Sequence, residues 1–190
     1  MRQKFHKFSF STEAQGFETD WSAKLSSAFV TELLGQIIGQ RLQGGETLLL
    51  VGDLGAGKTT LVRGVAQGFG VPSGVVNSPT FTFVQEYTGN HPLMHVDLYR
   101  IEHPEERAQL GLAELFNGTN VVVIEWADRI PNVHYPADHL IIRLAHQTRQ
   151  SRLANLVATG PVSTQLSLGI YKDFRQNSSR PNSRRKQAPS

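Results

Sequence analysis

The 190-residue sequence contains no cysteine, which excludes a disulfide framework and any metal site built on thiolates. That absence is compatible with a reducing, cytoplasmic setting. No apolar run approaches the ~20 residues that a membrane-spanning helix needs. The N-terminal MRQKFHKFSFSTEAQ is basic but lacks the apolar stretch of a secretory signal, and Glu13 and Glu18 come too early for a transit peptide. Basic charge is sparse where a nucleic-acid face would need it. The net charge is +3, yet residues 161–190 hold six basic side chains against one acid, Asp173. The preceding 160 residues carry thirteen basic and fifteen acidic side chains, so the body is mildly acidic. The terminal QNSSRPNSRRKQAPS has no apolar periodicity and is expected to be disordered. Neither N-K-x-D nor a D-x-x-G switch occurs, which argues against a regulatory GTPase.

What is present is one domain's worth of core-forming sequence. In SSAFVTELLGQIIGQRL, Phe29, Leu33 and Ile37 recur four apart beside Val30, Leu34 and Ile38, the pattern of one helical face. Ser26 or Ser27 can cap it. Gly35 and Gly39 weaken such a helix, so a neighbour is expected to pack closely there. GGETLLLVGD reads as a turn and a strand covered on both faces. A helix is predicted from Lys58 to Phe69, stopped by Gly70 and Pro72. TFTFVQEY and PLMHVDLY, joined by TGNH, predict a hairpin. HPEERAQLGLAELF (103–116) predicts a helix with Pro104 in its first turn. NVVVIEW predicts a second apolar strand, and DHLIIRLA and SRLANLVAT two late ones. The interleaving places the chain in the α/β class, with a mostly parallel sheet and an antiparallel hairpin. The expected division is an N-terminal extension (1–25), a domain (26–160) and a basic tail (161–190).

The sharpest signal is Gly52-Asp53-Leu54-Gly55-Ala56-Gly57-Lys58-Thr59, which fits G-x-x-x-x-G-K-[ST] between a strand and a helix. Glycines allow several backbone N–H groups to face one point. Lys58 brings positive charge to terminal phosphates, the Thr59 hydroxyl can ligate Mg2+, and the helix directs its positive end at the anion. Two carboxylates end strands nearby: Glu125 after VVVI, and Asp97 in MHVDLYR. A hard cation would take such oxygens. Asn77-Ser78-Pro79-Thr80 is placed where nucleotide hydrolases often keep a γ-phosphate switch, or is a plain connecting loop. Trp126 is either core or an aromatic beside the nucleotide. The histidines, including the pairs His91/His95 and His134/His139, form no convincing metal pattern and read as ordinary.

In order and spacing, GDLGAGKTT, NSPTFTFVQEY, HVDLYR, LGLAELF and VVVIEWADRI resemble the TsaE (YjeE) family over residues 26–158. The resemblance implies a P-loop NTPase fold and a Mg2+-dependent ATPase required for the threonylcarbamoyladenosine modification of tRNA. It implies TsaD-like and TsaB-like partners, with ATP hydrolysis resetting the transferase complex. By motif, Lys58, Asp97, Thr80 and Glu125 would serve catalysis. Asp53, Leu54, Gly55, Ala56, Gly57, Lys58, Thr59, Thr60 and Trp126 would hold the nucleotide, and Thr59 and Glu125 the metal. Loose alignment adds Arg149 near the nucleotide and Ser27 or Ala28 near the adenine. Two rival readings stand beside it. One is a small-molecule kinase with Arg143, Arg149 and Arg152 as lid arginines; the other is a nucleotide-gated adaptor without turnover. The basic tail is a candidate for weak contact with tRNA.

Overall fold

A computed structural model of the protein describes residues 20–76, 79, 83–101, 110–129 and 135–178. Seven strands form one sheet in the order β1-β7-β6-β2-β5-β4-β3. At its centre lie β2 (Thr47–Val51), β5 (Val121–Glu125), β4 (Pro92–Asp97) and β6 (Leu140–His146), all mutually parallel. The aliphatic run of β5 is buried throughout, as a strand with helices or loops on both faces requires. Antiparallel strands close both edges. β3 (Val84–Thr88) pairs with β4 as the expected hairpin. On the other side β7 (Arg152–Ala158) pairs with β6 and then with β1 (Asp20–Leu25).

Helices α1 (Ala28–Gly39) and α2 (Lys58–Gly68) cover one face of the sheet. They cross at backbone contact, as Gly35 and Gly39 lead one to expect. A methyl group at Gly35 would collide with the Leu61 carbonyl, and one at Gly64 with that of Glu32. The Ser27 side chain caps α1 by accepting from Val30 N at 3.3 Å. The opposite face buries Leu49, Val96, Ile124 and Ile141 under Leu98, Ile101, Leu112 and Ala127.

Three boundaries differ from the sequence reading. Asp20–Leu25 is an edge strand of the domain, although it was assigned to the N-terminal extension. Residues Pro161–Ser178, assigned to a disordered tail, form helix α4 on the same face as α1 and α2. Leu166, Ile170 and Phe174, four apart, bury one stripe of it, and the Asp138 carboxylate caps its start through Val162 N and Ser163 N (2.7 and 2.9 Å). Residues 179–190 lie outside the described residues. The helix expected over 103–116 is seen only as one turn, α3 (Leu112–Leu115). Gly111 before it has φ 55°, a left-handed backbone that a helix cannot continue through; residues 102–109 are not described.

Candidate functional site

The loop between β2 and α2 turns at Gly52 and Gly57, with φ 148° and 103°. At Gly52 a side chain would also strike the Leu144 carbonyl. These angles suit glycine and no bulkier residue. Asp53, Leu54 and Gly55 form the exposed rim, and Ala56 tucks into the core. No side chain caps the first turn of α2 and no acid lies in it, so its amides are left for another partner.

Lys58 is the first residue of α2 and only 4% exposed. Its ammonium donates to the carbonyls of Gly52 (2.6 Å) and Asp53 (3.0 Å) and lies 3.4 Å from the centre of the Trp126 ring. Burial lowers its pKa from the ordinary lysine value. Glu125, Asp128, Asp97 and Asp53, in that order, oppose the shift. The ammonium thus feels four acidic side chains, Glu125 most strongly, while its own hydrogen bonds go to backbone carbonyls.

The carboxylates reach Lys58 because β4 and β5 are adjacent and in register, with Asp97 opposite Glu125. Glu125 is 2% and Asp97 5% exposed. Thr59 Oγ1 donates to Glu125 Oε2 at 3.0 Å. Glu125 Oε1 is 2.9 Å from His95 Nε2. Asp97 Oδ1 accepts from Tyr99 N at 3.0 Å. The donor set fits Mg2+: a hydroxyl and a carboxylate oxygen meet at one point beside the glycine loop. No group of three or more acidic, histidine or cysteine side chains that could hold a metal occurs among the described residues. Two protein oxygens are a sparse set of the kind Mg2+ usually takes, its other positions being left to waters and phosphate oxygens in such sites generally.

Trp126 follows Glu125 with φ 59°, a left-handed backbone uncommon for any bulky residue. That turn aims its ring back over Lys58, with Tyr99 packed at 4.9 Å. Trp126 is partly buried, packing against the core of this face while its ring lies over Lys58. The exposed Arg129 guanidinium stands over both rings, 5.0 Å from Tyr99 and 5.7 Å from Trp126.

The structure thus brings together Lys58, Thr59, Glu125, Asp97 and Trp126. Thr60 sits half-buried in the first turn of α2. Thr80 lies outside the described residues, as do Asn77, Ser78 and His134. Arg149 stands at the exposed tip of the β6–β7 turn, where its carbonyl accepts from Arg152 Nη1 (3.3 Å). Arg152 is the one that reaches the loop, donating from Nη2 to Gly55 O at 3.2 Å, while His146 Nε2 approaches Leu54 O at 3.4 Å. Ser27 caps α1 one turn before Thr31, whose methyl packs against Gly57. Sequence reasoning missed His95 and Asp128, and weighed Arg152 only as a lid arginine of a kinase. His95 stands two residues before Asp97 on a strand, so a period of two puts both on one face. Asp128 has a buried Oδ1 with no hydrogen-bond partner. Its signal was its place in VVVIEWADRI, to which no role was given.

Residues 25–154 match the family described as threonylcarbamoyl adenosine biosynthesis protein TsaE. The chain belongs to the TsaE family. Curated relatives named tRNA threonylcarbamoyladenosine biosynthesis protein TsaE share 42% identity in Nostoc sp. over 65% of this chain and 76% of theirs. The figures for Bacillus subtilis are 40%, 75% and 81%, and for Rickettsia conorii 35%, 81% and 86%. The crystal structure of YdiB from Bacillus subtilis superposes with a TM-score of 0.71 at 29% identity, over 83% of this chain and 98% of that one. The TsaE match thus begins in β1 and ends in β7. Among the described residues, no helix is long and apolar enough to cross a membrane.

Proposed function

We propose that this TsaE-family protein acts in the biosynthesis of threonylcarbamoyladenosine on tRNA as a Mg2+-dependent ATPase. Its partners would be a TsaD-like transferase and a TsaB-like protein, and ATP hydrolysis would reset their complex. The observation that carries the reading is the convergence of Lys58, Thr59 and Glu125 behind a glycine loop whose helix N-terminus has no cap of its own. Loop amides and Lys58 bind the phosphates and stabilise the charge that develops on them. Thr59 and Glu125 would hold Mg2+, which supplies charge neutralisation at the phosphate oxygens. Asp97, anchored by Tyr99 N, orients the attacking water or accepts its proton.

Lys58 has carbonyls and an aromatic face as its neighbours, so phosphates must draw the ammonium off these contacts. That exchange favours slow turnover in the isolated protein. Phosphate release from Mg2+–ATP, measured with and without the TsaD-like and TsaB-like proteins, tests the reading. A low basal rate that rises with the partners is the expected result, and Lys58→Ala should abolish both rates. ATP binding with no phosphate release under either condition would overturn it in favour of a nucleotide-gated adaptor.

A further inference from the structure

His95 is fully buried, with no solvent-exposed surface. It leaves β4 on the same face as Asp97, two residues on. One ring nitrogen, Nε2, lies 2.9 Å from Glu125 Oε1. The other, Nδ1, is buried without a hydrogen-bond partner among the described residues. A carboxylate oxygen only accepts, so the network assigns the shared proton to Nε2. Tyr87 packs against the ring at 6.4 Å between centroids.

An aliphatic side chain would fill this place without leaving a polar nitrogen unpartnered, a defect that costs free energy. The fold carries that defect for what Nε2 does to Glu125. The carboxylate has two oxygens in a nearly dry site. Oε2 accepts from Thr59, and Oε1 is engaged by the imidazole. Lys58 is the competitor, since Glu125 is the acid that pulls most strongly on its ammonium. Released from the ring, the carboxylate could rotate onto that ammonium, and both charges would be withdrawn from a Mg2+–nucleotide complex.

We propose that His95 is a positioning residue. By donating from Nε2 it fixes the carboxylate plane of Glu125, so that Oε2 stays with Thr59 and away from Lys58. This rests on the Mg2+–ATP reading of the site. It extends that reading to a side chain that touches neither phosphate nor Thr59.

The test compares His95→Leu, which removes the donor, with His95→Gln, whose amide nitrogen reaches about as far as Nε2. The full chain is loaded with ADP and titrated with Mn2+, the free ion being read by electron paramagnetic resonance. Loss of a partner to a metal ligand typically weakens affinity about 10–100-fold, and His95→Leu should fall in that range. Nucleotide affinity in EDTA should hold, and His95→Gln should recover most of the Mn2+ loss. In the Glu125→Gln background His95→Leu should add little. Ring 15N shifts of the metal-free protein should show the proton on Nε2. Unchanged Mn2+ affinity in His95→Leu overturns the inference, as does His95→Gln binding no better than His95→Leu. If His95→Leu does not fold, His95→Asn, whose amide stops short of Nε2, replaces it with the same outcomes. Glu125→Gln alone separates the two levels. If it weakens Mn2+ binding and His95→Leu does not, only the inference fails; if it leaves Mn2+ binding intact, the reading of the site fails.

Discussion

The Lys58 ammonium lies 3.4 Å from the centre of the Trp126 ring, at right reach for a cation–π contact inside a largely dry pocket. Phosphates that attract Lys58 must take it from that ring. Nucleotide binding should therefore change the emission of Trp126. The other tryptophan, Trp21, packs on α4 against Ser167, Tyr171 and Phe174, remote from this chemistry. In Trp21→Phe, ATP addition should shift or quench the remaining signal, and Lys58→Met should abolish the response. An ATP-saturated protein with unaltered Trp126 emission would contradict this exchange.

Stability should carry the mark of the buried lysine. Because burial lowers the Lys58 pKa, the native state releases this proton before the unfolded chain does as pH rises. Its contribution to stability therefore increases with pH up to the unfolded value of about 10.4. Tyr135 acts in the opposite sense. Burial, then Asp128, holds its phenol above the ordinary tyrosine range, so its contribution is intact below about pH 10 and lost above it. The difference in unfolding free energy, wild type minus Lys58→Met, cancels the tyrosine. Urea titrations from about pH 8 to 10.5 should show that difference growing more positive. A flat difference would remove the lysine's burial from the energetics.

The end of the fold is set by α4. Truncation after Gly160 removes the buried Leu166, Ile170 and Phe174 and the hydrogen bond from Trp21 Nε1 to Ser167 Oγ (2.9 Å). Each large apolar side chain contributes about 1.5–3 kcal/mol when buried, so the loss should amount to several kcal/mol. Truncation after Ser178, which keeps α4 whole, should melt well above truncation after Gly160. Equal melting of the two truncated proteins would show that α4 adds nothing.

Arg152 and Arg149 should separate in effect. Arg152 holds Gly55 O, and Arg149 stands in solvent. Arg152→Ala should weaken ATP binding several-fold, consistent with losing about 1 kcal/mol of hydrogen bond to the loop. Arg149→Ala should bind ATP nearly as wild type does. Calorimetric titration checks both, and the reverse order would return the role to Arg149.

Gly64→Ala tests the helix crossing. The added methyl would meet the Glu32 carbonyl, and overpacking of this kind costs about 1–3 kcal/mol. Denaturant unfolding should show that loss, whereas Ala at an open helical site would be neutral or stabilising.

Much of this was legible in local pattern. The strand–glycine–lysine run placed the glycine loop between β2 and α2, and the runs ending in Glu125 and Asp97 placed both acids at the ends of parallel strands. Gly35 and Gly39 announced a close neighbour, found to be α2. The misreadings have physical causes. The α4 segment is rich in Ser and Gln, which masked a narrow stripe of three apolar residues; its cap comes from Asp138, far away in sequence. Asp20–Leu25 is held by pairing with β7 and by Trp21 on α4, partners that no local window contains. His95 was placed on a strand but read as an ordinary histidine, while its spacing of two from Asp97 carried the meaning. Arg152 and Arg149 lie on one turn, and only the hairpin's geometry tells which guanidinium reaches Gly55.

The glycine crossing of α1 and α2 has a mechanical corollary. With carbonyls of one helix resting where methyl groups of the other would be, the pair cannot slide without backbone striking backbone. Were an anion at the first turn of α2 to tilt that helix, the crossing would carry α1 with it. The exposed Phe29, in the first turn of α1, would then move with the glycine loop as the tip of a rigid pointer.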